Sequence, residues 1–467
     1  MATIPILSGI SASGADFRSA YPVNLVPVPK VQGISQGYLR PAEGIVAVAD
    51  GGGANRGGTR WRDKQYRVMG NRFVRVDEDG TVTFVGNVTG TNWVSFAESF
   101  DYLAINGGGN IYLYDGVTFA QITDVDLGVS LDVEWINGYF ISTDGTSLVV
   151  TDLSNPFSVN PLRYGSSEIS PDPVVSLLKL RNEIYAMNRF TIEVFAAVSN
   201  PGLGFPFGRI DGAQIMKGVI GSRACCEFMQ ALAFLGGGDH EPPSVWLGGG
   251  GDATKVSTRE IDDILRAYPD TVLETAVLEA RSDRSHQFLY IHLPDKALVY
   301  DGAASASMEQ PVWFVLQSGS TPAGYRARGM VWCYNRWNVA DPFGTKIGYL
   351  TDAVGSHYGD DTLWEFTTPI IYNGGKGVQV HELELVALTG DVALGDDPTI
   401  ATQYSGDGVR WSQPRYIRAG RKGELAKRLV WDRQGTFTNW RIQRFSGDSR
   451  AHIAFARLEA ELEMLAR

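Results

Sequence analysis

Two histidines form the arrangement best suited to metal chemistry in this sequence. His286 and His292 flank the apolar run Phe288 to Ile291, and side chains six positions apart point to the same face of a regular strand. Two imidazoles on one face could bind a metal ion. None of the six histidines has the i, i+4 spacing of a zinc helix or lies in an HExxH motif. We therefore interpret the pair as packed or surface imidazoles and predict no metal site.

Other patterns that could support catalysis are incomplete. Gly248 to Gly251 followed by Lys255 looks like a phosphate loop, but the lysine lacks the neighbouring Gly and Ser/Thr of the Walker motif. No GxSxG turn is present for a serine nucleophile. The carboxylate pairs at 262–263 and 360–361 are adjacent in sequence, so they do not indicate acid–base geometry across a cleft. The sequence predicts no catalytic residue, no cofactor and no enzymatic role.

The segment Ser405 to Trp411 resembles the Asp-box hairpin of sialidase-like propellers. In that family the aspartate holds a turn and the tryptophan packs beneath it, away from the catalytic residues. A single copy in the C-terminal part therefore indicates a hairpin and not a hydrolase.

A basic stretch with interleaved aromatic residues occupies the C-terminal part. Residues 401–467 carry thirteen Lys/Arg and seven Asp/Glu, a net charge of +6. Since the whole chain has a net charge of −11, residues 1–400 have a net charge of −17. Cations and aromatic rings together could bind nucleic acid, or they could form a protein–protein interface. We favour the protein interface because the whole chain is acidic. The candidate residues are Arg410, Trp411, Arg415, Tyr416, Arg418, Arg421, Lys422, Arg428, Trp431 and Trp440.

A repeated hairpin organises the chain between about residues 61 and 352. Each copy has an apolar strand, a Gly/Asn/Asp turn and a second apolar strand. A period near 40–50 residues with several short strands is typical of a propeller blade. The copies centre on Val68, Leu103, Phe140, Ile184, Leu232, Tyr290 and Trp332.

The predicted fold is all-β, with a propeller-like repeat domain over 61–355 and a C-terminal β-sandwich over 360–467. Turns separate strands of five to eleven residues after Asp352, which is typical of a sandwich. Five prolines before residue 42 and two glycine clusters predict an extended N-terminal arm over 1–60. A helical insertion is expected at about 258–280, where Thr258 can cap a helix.

The sequence also bears on where the protein is made. Its three cysteines form no CxxC pair, and the N-terminus lacks a basic region followed by an apolar run. No stretch approaches the ~18–20 apolar residues of a membrane span. We therefore expect a soluble protein that is made in the cytoplasm and lacks a membrane span.

Specific strings resemble one protein family. They include Gly37 to Arg40 and Lys217-Gly218. They also include Tyr290 to Pro294 and Leu298 to Asp301, two strings that follow the helices at 261–279. In order and spacing, from about residue 16 to 316, the chain resembles the packaged-DNA stabilisation proteins of short-tailed phages, which form the tail hub, or nozzle.

The resemblance implies a structural role in the virion tail, in a particle assembled in the host cytoplasm. Proteins of this family form a hexameric ring below the portal and its adaptor ring, extend the DNA channel and retain the packaged genome. They also provide attachment sites for a tail needle, tailspikes or fibres. DNA would pass transiently and non-specifically through the lumen, where acidic faces would keep it from sticking.

Two other functions are compatible with the sequence. A propeller can carry a glycan-binding site or a glycosidase, as in a depolymerase, if carboxylates and aromatic platforms converge in one pocket. The basic C-terminal sheet could instead make the chain a DNA-binding module, with salt-dependent affinity for duplex DNA.

Overall fold

The first 50 residues form strands that pair with distant parts of the chain. The computed structural model describes residues 2–13, 16–30, 35, 37–199, 202 and 204–465. Strands β1 to β6 lie at Ala2–Ile4, Gly9–Ser13, Asp16–Ala20, Leu25–Pro29, Gly37–Pro41 and Gly44–Asp50. Of these, β2 and β3 form a hairpin, β1, β4 and β5 join the C-terminal sandwich, and β6 joins the propeller.

The extended arm predicted for 1–60 therefore differs from the structure. Pro27 and Pro29 lie in β4, which is the edge strand of its sheet. Proline lacks an amide hydrogen, but an edge strand can accept it because one side of the strand needs no partner. The prolines thus mark an edge strand and not an unpaired arm.

Four antiparallel sheets follow in chain order and form blades one to four. Blade one contains β7 to β10, at Asn55–Trp61, Lys64–Met69, Arg72–Val76 and Val82–Asn87. Blade two contains β11 to β14, at Ser95–Glu98, Leu103–Gly107, Asn110–Tyr114 and Phe119–Gln121. Blade three contains β15 to β18, at Asp132–Ile136, Tyr139–Thr143, Ser147–Asp152 and Asn155–Ser166. Blade four contains β19 to β22, at Val174–Leu180, Glu183–Asn188, Ile192–Ala197 and Phe207–Arg209.

Three further sheets complete the propeller. Blade five contains β23 to β27, at Gly218–Val219, Cys225–Phe228, Ala231–Gly237, Ser244–Gly249 and Asp252–Lys255. Blade six contains β28 to β31, at Val277–Asp283, His286–His292, Ala297–Asp301 and Trp313–Leu316. Blade seven contains β32 to β34, at Arg328–Cys333, Arg336–Ala340 and Lys346–Thr351, with β6 as its fourth strand.

The seven sheets confirm the predicted propeller. Six of the predicted hairpin centres fall in the second strand of their blade, whereas Trp332 falls in the first strand of blade seven. The first strands of successive blades contact one another around the axis, and blade seven returns to blade one. Strand β6 pairs with β34 from Gly44 opposite Thr351 to Asp50 opposite Lys346. The last blade is therefore closed by the N-terminal part of the chain.

Three short helices interrupt the strands. They are α1 to α3, at Arg259–Arg266, Asp270–Leu273 and Gly302–Met308. The Thr258 hydroxyl accepts the Ile261 amide at the start of α1, as the sequence predicted. The second predicted helix is only four residues long because strand β28 begins at Val277. No helix in the described part of the chain is long and apolar enough to cross a membrane.

Two facing sheets form the C-terminal sandwich. The strands β35 to β39 lie at Leu363–Thr367, Ile371–Tyr372, Val378–Leu388, Thr399–Ser405 and Arg415–Arg418. The strands β40 to β43 lie at Leu429–Asp432, Thr436–Phe437, Trp440–Asp448 and Ala454–Met464. One sheet has the order β4-β5-β43-β37-β40 and the other β35-β42-β38-β39. Their inner faces share one apolar core that includes Leu39, Phe445 and Phe455.

The N-terminal segment also joins the two domains. The Asn24 amide donates to the Val315 carbonyl at the outer edge of blade six (2.8 Å), and the Val23 amide donates to Glu365 of the sandwich (2.8 Å). The hairpin β2–β3 contacts helix α1 through Arg259 and Asp16. The sandwich therefore lies against the outer edge of blade six. This is the side where β6, the closing strand of blade seven, enters the propeller.

A buried histidine beside the closing strand makes the fold sensitive to acid. His357 is 2% exposed and shares a hydrogen bond with the Ser318 hydroxyl (2.7 Å). Burial lowers the pKa of His357 to about 3, with Arg326 acting in the same direction and Asp360 opposing it. Between that value and the unfolded pKa of about 6.5, the unfolded state binds the proton and the folded state does not. His357 therefore does not reduce the unfolding free energy above pH 6.5. Below that value its effect lowers the unfolding free energy progressively as the pH falls towards 3.

We expect His357→Asn to remove this part of the pH dependence. Between pH 7.5 and pH 5, the wild-type chain should lose about 2 kcal/mol more unfolding free energy than the variant, because one pKa unit corresponds to about 1.4 kcal/mol. Urea unfolding at both pH values measures the difference. Parallel losses in the two proteins would contradict the role of His357.

Candidate interface on the C-terminal sandwich

Four of the ten predicted interface residues lie on the edge strands of the two sandwich sheets, five lie in the connecting loops, and Trp440 lies on β42. Arg415, Tyr416 and Arg418 are on β39, the edge of one sheet, and Trp431 is on β40, the edge of the other. The two edges adjoin, because the Trp431 indole Nε1 donates to the Arg415 carbonyl (2.9 Å). The structure thus brings these sequence-predicted residues to one side of the sandwich.

Four cations on this side have no carboxylate partner among the described residues. Arg410, Arg415, Lys422 and Arg433 are exposed and make no ion pair there. Arg415 Nη1 donates to the Arg433 carbonyl (2.7 Å), so these two side chains belong to one cluster. Only Arg415 lies on an edge strand and the other three lie in loops, but all four exposed cations are available to an external partner.

Other cations of the stretch are already paired within the chain. Arg418 and Arg421 both contact Asp397 (3.1 and 3.2 Å). Arg428 bridges Glu382 and Glu384, and it lowers the pKa of the Glu384 carboxyl. Such exposed pairs contribute little to stability, but they reduce the positive charge that a partner would meet.

Several predicted residues are not available for binding. Trp431 is only 2% exposed and packs in the sandwich core. Trp440 contacts Phe17 of the N-terminal hairpin edge-on, with ring centroids 5.7 Å apart. The facing sheet covers the Trp431 ring, whereas the N-terminal hairpin covers the half-buried Trp440 ring only in part.

Two arginines of the basic stretch also have internal roles. The guanidinium of Arg441 lies 4.0 Å from the Tyr404 ring, and burial lowers the pKa of Arg441 to about 10. The guanidinium of Arg444 lies 4.2 Å from the Trp411 ring. The aromatic residues of the stretch therefore do not form an open stacking platform for bases. Tyr416, which is 65% exposed, presents a large ring to solvent.

The Asp-box-like segment forms the predicted turn. Asp407 Oδ1 accepts the Val409 and Arg410 amides (2.9 and 2.7 Å). Gly408 has φ = 73° and lies against Ala12 of the N-terminal hairpin, where a Cβ would be only 2.2 Å from that residue's Cβ. The turn thus supports packing between the sandwich and the N-terminal hairpin.

Sequence reasoning missed a cleft between the sandwich and blade six. It has a volume of about 430 Å³, and its walls include Asn24, Gln317, Glu365, Tyr416 and Asp448. These residues come from five separate parts of the chain, so no local pattern could have indicated the cleft.

Its two carboxylates are held by separate arginines. Glu365 lies 3.7 Å from Arg444, and Asp448 lies 2.6 Å from Arg450. Burial raises the pKa of Glu365, and Arg444 opposes that shift. With an arginine at each carboxylate, the cleft resembles a polar junction more than an acid–base site.

The two histidines that could have formed a metal site are engaged within blade six. His286 Nδ1 contacts Asp301 (2.5 Å) and His292 Nε2 contacts Glu279 (3.1 Å). Their rings stack on Phe288 and Tyr290. Among the described residues, no group of three His, Cys, Asp or Glu side chains could hold a metal ion.

The glycine loop is likewise structural. Gly248–Gly251 turns between strands β26 and β27, and the Lys255 ammonium contacts Asp262 of helix α1. The lysine is therefore used to join blade five to the helical insertion.

One carboxyl on the innermost strand of blade three has a raised pKa. Burial raises the pKa of Glu134 to about 8. Asp132 raises the pKa further, whereas Lys179 and Arg223 lower it.

Comparison with known proteins places both domains in one family. A family model described as the Bacteriophage P22 Gp10 beta-propeller matches residues 2–355, and one described as the Bacteriophage P22 Gp10 beta-sandwich matches residues 363–463. The tail hub protein gp10 of Salmonella phage P22 is 28% identical over 468 residues, which cover 95% of this chain and 94% of that protein.

Solved structures show more distant similarity. The N-terminal domain of Nup159 is 9% identical with a TM-score of 0.43, over 69% of this chain and 97% of that one. Virginiamycin B lyase from Staphylococcus aureus is 12% identical with a TM-score of 0.43, over 64% of this chain and 94% of that one.

Proposed function

Because this chain belongs to the Bacteriophage P22 Gp10 family, whose two models match residues 2–355 and 363–463, we propose that it is a structural tail hub protein. It is a component of the virion tail, like the tail hub protein of phage P22 that it resembles along nearly its whole length. The match across both domains is the observation that carries this conclusion.

The internal geometry supports a structural and non-enzymatic role. The histidines and the lysine that could have done chemistry are engaged in contacts within the propeller. The carboxylates of the interdomain cleft lie beside their own arginines. Strand β6 also completes blade seven and so ties the N-terminal part of the chain to the last blade, which suits a rigid building block.

We propose a hexameric ring as the functional state. The ring would lie below the portal and its adaptor ring, extend the DNA channel and help to retain the packaged genome. A tail needle, tailspikes or fibres would attach to it. DNA would cross the lumen through transient, non-specific contacts, because the acidic excess of the chain repels phosphate groups.

The mass of the assembled protein tests the ring directly. We expect the purified 50.9 kDa chain, alone or mixed with portal–adaptor complexes, to sediment as a hexamer of about six times that mass. Sedimentation velocity and native mass spectrometry measure it. A chain that stays monomeric under both conditions would contradict the ring.

A second assay addresses the propeller depolymerase, the rival function. The cleft that contains Tyr416 and Glu365 is the feature that favours it. We expect no release of reducing ends when the purified chain is incubated with host surface polysaccharide. Release that is abolished by Glu365→Gln would instead establish glycosidase activity.

A further inference from the structure

The negative charge of this protein is concentrated in one part of the propeller. Residues 76–178 contain fourteen acidic residues and a single basic one, Arg163, so their net charge is −13 (1 − 14). The whole chain carries −11, and the remaining residues therefore sum to +2. This segment runs from the end of blade one through blades two and three.

Three loops of blades two and three form a surface that is both acidic and apolar. They are residues 122–131, 144–146 and 167–173, and backbone hydrogen bonds hold them next to one another. The Leu131 amide donates to the Thr143 carbonyl (2.8 Å), and the Val174 amide donates to the Gly145 carbonyl (2.9 Å). We define the acidic apolar patch as Val125, Asp126, Val129, Asp144, Glu168 and Ile169.

The aliphatic side chains of the patch are unusually accessible. Val125 is 89% exposed, Val129 62% and Ile169 43%. Clustered exposed apolar groups with a polar rim mark interaction sites more often than isolated ones do. The surface is therefore suited to a partner that covers apolar area.

The carboxylates of the patch require a basic partner. None of Asp126, Asp144 and Glu168 contacts a Lys or Arg side chain in the described part of the chain. Asp144 Oδ1 accepts the Thr146 and Ser147 amides instead (2.8 and 2.7 Å), which keep it in place without cancelling its charge. The complement of this surface is one that carries cations among apolar groups.

The sandwich of the same chain presents such a surface. We define its basic edge as Val409, Arg410, Arg415, Tyr416, Lys422 and Arg433. The four cations lack carboxylate partners among the described residues, and Val409 and Tyr416 are 63% and 65% exposed. The two surfaces therefore match in charge and in apolar character.

The two surfaces cannot meet within one molecule. The sandwich is attached at the outer edge of blade six, where the Asn24 amide donates to Val315. In a ring of seven blades, blades two and three are the pair farthest from blade six. Complementary surfaces on opposite sides of one molecule can pair only between copies, and such head-to-tail contacts close into rings when the rotation allows it.

We propose that the acidic apolar patch of one copy binds the basic edge of the sandwich of the next copy. This contact rests on the proposed ring and specifies which surfaces form it. The occupant of the patch is thus a second copy of this chain, in a heterologous arrangement that repeats around the assembly.

Charge reversal on each side, separately and together, tests the contact. Arg410→Glu with Arg415→Glu should weaken assembly, and Asp126→Lys with Glu168→Lys should weaken it equally, because each change places like charges opposite each other. We expect about 10- to 100-fold weaker self-association for either pair. The two pairs combined should restore assembly to a large extent, since the charges are then complementary again.

The controls each carry a single charge reversal, one of each sign, elsewhere. Asp101→Lys lies in the turn at the opposite end of the blade-two strands, and Lys376→Glu lies in an exposed sandwich turn. Both should assemble like the wild type, alone and with portal–adaptor complexes. Circular dichroism and thermal unfolding of each variant check that the fold is retained.

The outcomes separate this contact from the ring itself. A wild-type oligomer that survives both reversals would overturn the contact and leave the ring intact. A wild-type chain that never assembles would overturn both. If reversal at the basic edge abolishes binding to duplex DNA but leaves assembly unchanged, the edge is a nucleic-acid surface and the proposed contact is wrong.

Discussion

Replacing Ile45 with Asp should unfold the propeller. Ile45 is 1% exposed on the closing strand, opposite Leu350 of blade seven, and it belongs to a core shared with Phe288 and Val299 of blade six. A carboxylate buried there without a partner costs about 4 kcal/mol or more. Such a loss is comparable with the total stability of about 5–15 kcal/mol that is common for folded domains.

The closing strand itself provides the control for this experiment. Ala47 is exposed on the same strand, two residues away, and Ala47→Asp should change stability by no more than about 0.5 kcal/mol. Near-ultraviolet circular dichroism and urea unfolding compare the two variants. A cooperative, native-like transition in Ile45→Asp at the wild-type midpoint would show that closure does not depend on this residue.

Replacing Asp132 with Ala should cost about 3–5 kcal/mol, because the variant removes a buried carboxylate and leaves the partly buried Arg223 guanidinium without its partner. Asp132 is 1% exposed on the innermost strand of blade three. Its Oδ2 accepts the Ser176 hydroxyl (2.6 Å) and the Leu177 amide (2.9 Å) of blade four. Its Oδ1 lies 2.5 Å from Arg223 Nη2 in blade five. One carboxylate therefore holds three blades together near the axis.

A double variant distinguishes the effect of leaving Arg223 without its ion pair from the effect of losing the hydrogen bonds of Asp132. In Asp132→Leu with Arg223→Leu, no charge remains buried, and the double variant should be more stable than Asp132→Ala. The control Asp144→Ala, in the same blade but exposed, should cost only about 1 kcal/mol, because it removes two exposed turn hydrogen bonds and no buried ion pair. Urea unfolding measures all three. Equal losses for Asp132→Ala and Asp144→Ala would contradict the role given to Asp132.

The sequence was sufficient for the repeated part of the fold because its signals are local. Each hairpin carries its own turn residues and apolar strands, so the period is visible without any tertiary information. The closing strand was missed because Gly44–Asp50 pairs with Lys346–Thr351, almost 300 residues away. No pattern within either segment identifies the other as its partner.

The candidate interface was predictable in position but not in composition. The excess of Arg and aromatic residues marked the correct side of the sandwich. Whether a ring faces solvent or the core depends on the opposite sheet, which is why Trp431 is buried while Tyr416 is exposed. The acidic apolar patch gave no motif at all, because it forms only when loops from two blades come together.

The pairing of both chain ends has a consequence for biosynthesis. Strand β6 leaves the ribosome early, yet its partner strand β34 appears only about 300 residues later. At roughly 5–20 residues per second, the nascent N-terminal segment waits about 15–60 s with its hydrogen-bonding edge unsatisfied. Strands β1 and β5 wait longer still, because they pair with β43, at Ala454–Met464. The propeller can therefore close only after Thr351 has been made, and the sandwich only after β43, so a chain that terminates before β34 has no complete domain to release.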